Sequence, residues 1–323
     1  MKNYIKFGVV FIILLALFIT YCSKADLEKA KPIPIIKERQ RIIPLTKEGY
    51  SMNPIFSFDE SKVYFIMDPQ SSSGYSPSRL SLYEIDVNGN NQKLILKGCG
   101  WDRPSISKDG KKLITAGINI DLTTGKYTQL KHNLPSPSRY SFSIVNSCIS
   151  PDGKSFAFSS YDYNQGIYCV DINLGKANVI TKEKVFMPSY LSNGDKISFI
   201  GKGNFDDSQD WGKTIEIVGI NGKDREIIFS ASEDQIIYSQ FCTKNDNIIF
   251  ISYDEGFRTK RYKINIDGSN LEQLNDIEIS DITKDNKLAV CILDNKVCLY
   301  QMDSKDYNQE DLIQALSTFV EVH

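Results

Sequence analysis

The residues whose types and spacing could do chemistry in this chain are loop carboxylates and loop aromatics. Asp206, Asp207 and Asp210 beside Asn204 offer the oxygen ligands calcium takes. Their spacing departs from the loop D-x-[DN]-x-[DN]-G, so a solvated acidic loop is expected and no metal site is assigned. Asp206, Asp207 and Asp254 could also serve as acid and base toward a sugar, since such work needs only a suitably spaced pair. A serine hydrolase with a nucleophile elbow is not supported: there is no G-x-S-x-G, and the only histidines are His132 and His323. No catalytic residue and no cofactor is assigned. The second group is Trp101, Arg103, Tyr140, Tyr161, Trp211, Tyr253 and Arg258, accompanied by Tyr75, Tyr163, Phe205, Phe257, Arg79 and Arg139. Aromatics with arginine are the usual anchors of a recognition surface. The competing expectation is that Trp101 and several tyrosines plug a channel or pack loops.

These residues need a scaffold, and the chain supplies one by repetition. Six Asp or Asn markers, Asp59, Asp109, Asp152, Asn193, Asn245 and Asp285, recur at spacings of 50, 43, 41, 52 and 40 residues. Those are the spacings of four-stranded propeller blades. Three residues before each marker stands Phe56, Ile106, Ile149, Tyr190, Cys242 or Ile282; four and six after it, pairs such as Val63 with Phe65 and Phe156 with Phe158 alternate as strands do. The sixth unit fits only with one residue deleted. Asp109-Gly110, Asp152-Gly153 and Asn193-Gly194 predict two-residue hairpins at the markers. A third strand (Leu82–Asp86, Ile167–Asp171, Tyr262–Ile266) and a fourth (Gln92–Ile95, Asn178–Thr181, Glu226–Phe229, Leu271–Leu274) complete the blades.

The expected fold is all-β, a six-bladed propeller of four-stranded antiparallel blades, each sheet burying its faces against its neighbours. The last unit shows three strands ending near Asp303, and residues 40–46 read as a lone outer strand, so this N-terminal strand is expected to close the last blade. Pro44 is tolerable there because an outermost strand leaves one row of amides unpaired. The long insertions Met67–Arg79, Lys131–Val145, Ser160–Gly166, Gly201–Lys213 and Ser252–Lys260 are then expected on one face and the marker turns on the other.

Asn53-Pro54-Ile55-Phe56-Ser57-Phe58-Asp59, Arg103-Pro104-Ser105-Ile106-Ser107-Lys108-Asp109-Gly110 and Ser150-Pro151-Asp152-Gly153-Lys154-Ser155-Phe156-Ala157-Phe158 resemble TolB-type propeller repeats, with the core P-x-W-S-P-D-G-x-x-I-A-F. The resemblance covers about residues 40–303 and departs at Asn245-Asp246 and Asp285-Asn286. It implies the propeller fold; one fold hosts both scaffolds and enzymes. Oligogalacturonate lyases share this repeat type, and the metal site expected of them would draw on several histidines, which two histidines do not provide.

The ends and the bulk composition bound the rest. Lys2 and Lys6 precede an uncharged run from Phe7 to Tyr21, an export signal or anchor occupying residues 1–22. Leu17-Phe18-Ile19-Thr20-Tyr21-Cys22 suggests a bacterial lipoprotein signal with Cys22 as the acylated residue. Tyr21 stands where a small residue is usual, which leaves an uncleaved helix or cleaved export as alternatives. Each places the propeller outside the cytoplasmic membrane, in the bacterial cell envelope, touching membrane through the N-terminus only. Residues 23–39 read as a tether, 40–303 as the propeller and 304–323 as a tail for which a short helix from Asn308 is expected, with a strand through Thr318 to Val322 as the alternative. A net charge of -2 and the lack of a basic stripe speak against nucleic acid. The six cysteines beyond Cys22 are expected to be buried thiols acting as small apolar groups, with Cys291 and Cys298 the one pair to examine for a bridge. The function expected is an envelope-attached, monomeric scaffold that binds a protein or glycan through its loop face; a carbohydrate-active lyase or hydrolase is the alternative.

Overall fold

Apolar alternation on either side of each marker becomes antiparallel strands. The computed structural model describes residues 42–71, 73–131, 145–160, 165–201, 212–232, 235–244, 246–253, 259–274 and 277–302. The first strand, β1 (Ile42–Pro44), stands apart. Five blades of four consecutive strands follow: β2–β5 (Tyr50–Phe56, Lys62–Asp68, Ser81–Asp86, Lys93–Lys97), β6–β9 (Ser105–Ile106, Lys112–Thr115, Ile118–Asp121, Tyr127–Gln129), β10–β13 (Val145–Ile149, Ser155–Ser160, Gly166–Asp171, Ala177–Thr181), β14–β17 (Phe186–Tyr190, Lys196–Gly201, Thr214–Gly219, Glu226–Ser230) and β18–β21 (Ile236–Cys242, Asn247–Tyr253, Thr259–Asn265, Glu272–Leu274). The last strands, β22–β24 (Glu278–Ile282, Leu288–Leu293, Lys296–Gln301), form a composite sheet with β1 in the order β1-β24-β23-β22. The molecule is an all-β propeller of four-stranded antiparallel blades. Among the described residues no helix is long and apolar enough to cross a membrane. The expected C-terminal helix and N-terminal segment lie outside the described residues.

Each sheet is apolar on both faces, and the seams between sheets absorb those faces. Six buried clusters lie one to a seam: Ile66 and Leu82 with Leu113 and Ile120, Ile114 with Phe156 and Phe158, Ala157 and Cys169 with Ile197 and Phe199, Ile215 and Ile217 with Ile248 and Phe250, Phe241 with Ala289 and Cys291, and Val290 and Val297 with Val63 and Phe65. The last joins the composite sheet to the first blade and closes the ring. β1 runs antiparallel to β24 with Ile42 opposite Tyr300 and Pro44 opposite Cys298. Leu45 N then donates to Val297 O at 2.8 Å and Val297 N to Thr46 Oγ1 at 3.0 Å, extending the latch past Pro44.

The marker turns differ from the expected two-residue hairpins. Ser107 N donates to Lys112 O and Gly110 N to Ser107 O, each at 2.9 Å, so the loop holds four residues and its glycine sits at φ 70. Glu60 (φ 62), Asp246 (φ 56) and Asn286 (φ 58) take the same left-handed place in other units. A hydroxyl two residues before the marker latches the turn. Ser107 Oγ donates to Asp109 Oδ1 at 2.7 Å and accepts from Lys112 N at 3.0 Å; Ser57 with Asp59, Ser150 with Asp152 and Thr283 with Asp285 repeat the pattern. These hydroxyls lead the causes holding the four carboxyls below their ordinary range. The sixth unit needs no deletion: Thr283 to Leu288 spans the same turn as Ser107 to Lys112, and Ala289 and Cys291, four and six beyond Asp285, are fully buried. Two-residue hairpins do occur, at the opposite ends of the sheets. Ala116-Gly117 (φ 48 and 70) and Asp294-Asn295 (φ 49 and 62) have both central residues left-handed, as a type I′ turn requires.

The six cysteines among the described residues are free, and all but the half-buried Cys242 are buried. Cys291 and Cys298 are directly opposed and unbridged. Burial pushes the thiols of Cys99, Cys148 and Cys298 up to about 12, which suits packing groups rather than nucleophiles.

Candidate binding channel and its loop-face mouth

The innermost strands, β2, β6, β10, β14, β18 and β22, line a cavity of about 710 Å³. Five of them bulge where they enter from the loop face, between Met52 and Ile55, Val145 and Cys148, Phe186 and Ser189, Ile237 and Ser239, and Ile279 and Asp281. Three bulges carry a left-handed residue, Asn53, Asn146 and Met187, each at φ 51. Asparagine accepts that conformation readily; methionine at the same place is strained by about 1 kcal/mol.

One inner-strand position ties neighbouring blades together. Asp281 Oδ2 accepts from Phe56 N at 3.0 Å, Ser105 Oγ from Ile149 N at 3.1 Å and Ser189 Oγ from Cys242 N at 3.0 Å. In the same register the Cys148 thiol meets the amide of Tyr190. Asp281 Oδ1 also accepts from Ile282 N at 2.9 Å, which serves the seam where Phe241 replaces a polar residue. Gln240 stitches the fourth and fifth blades, accepting from Ser198 Oγ at 3.0 Å and donating to Ser198 O and Met187 O.

Arg103 lies in the channel, not on the rim. Its Nη2 donates to Ser280 O of the composite sheet, and the guanidinium lies over the Phe241 ring, 4.0 Å from the centroid. Burial lowers its pKa to about 10 against the opposing pull of Asp281. Arg103 is therefore a strut from the second blade across the channel. Asp102 beside it is buried, and burial pushes its carboxyl up to about 6 while the amides of Asn146 and Ser147 pull it down; its Oδ2 has no protein partner.

Trp101 sits at the mouth, 55% exposed, its carbonyl accepting from Asn53 Nδ2 at 2.7 Å. Its ring meets Tyr75 edge-on at 6.5 Å, and Tyr75 in turn meets Tyr50 at 5.6 Å. The loop that carries Tyr75 is held by a buried carboxylate. Asp68 takes two contacts of 3.0 Å from Arg79 Nε and one of 2.8 Å from Nη2, and accepts from Gln70 N and Ser76 N at 3.0 and 2.9 Å. The Arg79 bonds, ahead of the amides, hold the Asp68 carboxyl down at about 2. Arg79 thus fixes the loop and is not a recognition arginine.

Of the other expected anchors, Tyr253 ends β19, opposite Ile236 on the loop side of the fifth blade. Tyr140, Tyr161, Trp211 and Arg258, the carboxylates Asp206, Asp207 and Asp254, and Cys22 lie outside the described residues. Among the described residues no cluster of three or more His, Cys, Asp or Glu could hold a metal ion. Tyr50 was not among the expected anchors; its signal was its place five residues before Ile55 on the inner strand that abuts the longest first-blade loop.

No protein-family model and no characterised protein sequence matches the chain. Solved structures match its fold. An oligogalacturonate lyase in complex with manganese is 16% identical over 77% of this chain and 74% of its own, with a TM-score of 0.52. TolB from Acinetobacter baumannii is 17% identical over 81% of this chain, which spans 56% of that protein, with a TM-score of 0.51. A calcium-binding protein, regucalcin, from Agrobacterium tumefaciens is 12% identical over 83% of this chain and 95% of its own, with a TM-score of 0.54. At these identities the likeness is one of fold: the chain shares the propeller scaffold on which all three are built.

Proposed function

We propose that this protein is a TolB-like propeller that binds a protein or glycan partner through its loop face, tethered to the cell envelope by its N-terminal segment with Cys22 as the acylated residue. The observation that carries the recognition part is the Tyr50–Tyr75–Trp101 cluster at the channel mouth. Tyr75 and Trp101 stay exposed and offer large contact area at little cost in side-chain entropy, and the Asp68–Arg79 pair sets the loop that presents Tyr75. Tyr253, Trp211, Tyr140, Tyr161 and Arg258 are included in the proposal on their sequence positions alone.

Trp101→Ala with Tyr75→Ala should abolish capture of envelope proteins or of arrayed glycans while leaving the melting transition within about 2 °C of the parent, as for surface changes. Unchanged capture by the double variant refutes the proposed surface. Tethering is read separately: labelled fatty acid should enter the parent and not Cys22→Ser, and equal labelling of both rejects acylation at Cys22.

A further inference from the structure

The marker-turn end of the channel has a chemistry of its own. The residue just before each marker lines that opening: Phe58, Lys108, Pro151, Ser192, Lys244 and Lys284. Three are lysines and the rest carry no charge. Lys244, its side chain only 14% exposed, donates from Nζ to Ser57 O at 2.7 Å; Lys284 donates from Nζ to Phe58 O at 3.0 Å. Both reach toward the first blade from different sheets: the Lys244 ammonium is largely buried, while Lys284 is exposed and its ammonium lies over the Phe58 ring, 3.6 Å from the centroid. Burial, and secondarily the charge of Lys284, push the Lys244 ammonium pKa down, against Asp281 and Glu60.

The nearby carboxylates are already engaged. Asp281 accepts two backbone amides, Glu60 Oε1 accepts from Lys284 N at 2.7 Å while lying 4.0 Å from Lys244 Nζ, and Asp246 accepts from Ser192 N at 2.6 Å and Ser192 Oγ at 2.5 Å. Glu278 lines the opposite end. Charged side chains lining the cavity are thus Arg103, Lys108, Lys244 and Lys284 against Asp281 and Glu278. An ammonium group has three donors, and Lys244 directs one to Ser57 O, which leaves donors for an added acceptor. Lysines gathered at one opening, one of them largely buried, present their remaining donors to an anion.

We propose that the marker-turn mouth of the channel is a binding site for a small multivalent anion, held by Lys244 and Lys284 with Lys108 across the opening. The site is one end of the channel whose whole volume is about 710 Å³. The ligand chemistry is that of a phosphate or a polycarboxylate, and compact ammonium charges accept either. These residues lie on the face opposite Trp101, so the site stands or falls independently of the loop-face reading.

The test is thermal melting and calorimetric titration of the whole protein with pyrophosphate and with citrate, against sodium chloride at matched ionic strength. A saturable rise in melting temperature with at least one of the two is expected, and the tighter anion assigns the phosphate or the carboxylate class. Lys244→Met and Lys284→Met should each weaken binding at least tenfold, and Lys111→Met, in the neighbouring exposed turn, should not. If Lys244→Met fails to fold, Lys108→Met, at an exposed position, carries the same comparison and should weaken binding severalfold. No rise beyond the chloride control, or binding unchanged in the lysine variants that fold, overturns the site.

Discussion

The two faces of this propeller are built under different rules. On the marker-turn face the connections within the blades are nearly the same length, and four of them carry the same hydroxyl–carboxylate latch, Ser57 with Asp59, Ser107 with Asp109, Ser150 with Asp152 and Thr283 with Asp285. On the loop face the connection is two residues at Ala116-Gly117 and at Asp294-Asn295, yet runs from Pro69 to Leu80 in the first blade, organised around Asp68. The lesson is that local hydrogen bonding fixes one face turn by turn. On the other face, among the described residues, the short connections are type I′ turns and the long first-blade connection is held by a recruited buried carboxylate, Asp68.

The sharpest way to break that contrast is at Gly166, on the loop side of the third blade. Its φ is 143, and a Cβ there would lie 2.0 Å from Thr181 O, a backbone atom that cannot swing away. Gly166→Ala should cost about 3 kcal/mol, read as a lower urea midpoint with unchanged slope. A midpoint equal to the parent's would show that this face yields more than its packing implies.

Next comes the ring of seam bonds, which is graded by chemistry. Asp281→Ala strands the buried amides of Phe56 and Ile282 and removes charge-assisted bonds, so a loss of about 2–3 kcal/mol is expected; Ser105→Ala and Ser189→Ala should cost about 1 kcal/mol each. Chemical denaturation of the three variants checks the order, and equal losses would remove Asp281 from its special place at the ring closure.

A smaller loss of stability than at Asp281, with a large effect on recognition, is expected from Asp68→Asn. The substitution should cost about 1–2 kcal/mol, because Arg79 remains partly solvated, but free the loop that holds Tyr75 against Trp101. The pH dependence has a definite sign. Because the folded Asp68 carboxyl sits at about 2, below its ordinary value of 3.8, its contribution is complete above pH 3.8 and is lost as pH falls toward 2. Acid melting curves of parent and Asp68→Asn should therefore converge below that window; curves that stay parallel would assign the stabilisation elsewhere.

Much of the scaffold was legible because strand alternation is local. Val63 with Phe65 and Phe156 with Phe158 announce the buried second strands of their blades, and Ile42–Pro44 as the partner of the last unit follows from counting strands. The turn type was misread because a left-handed glycine suits both a two-residue hairpin and a four-residue loop; the hydroxyl two residues before the marker was the cue that separates them. The third and fourth strands of the second blade, with Tyr127–Gln129 exposed, have too little apolar pattern to be seen. Arg103 could be placed at a mouth but not recognised as a strut, since Ser280 lies 177 residues away and meets it only after the ring closes. The converging lysines were equally hidden: their common register was visible, their shared direction was not.

The pairing of Ile42 with Tyr300 also sets a schedule for biogenesis. A chain made from N- to C-terminus holds that early ribbon unpaired while every intervening sheet is made, because its partner strand follows the others in the sequence. Until then two greasy sheet flanks and a row of amides lack their partners, and the long-range closure is the slow event in folding.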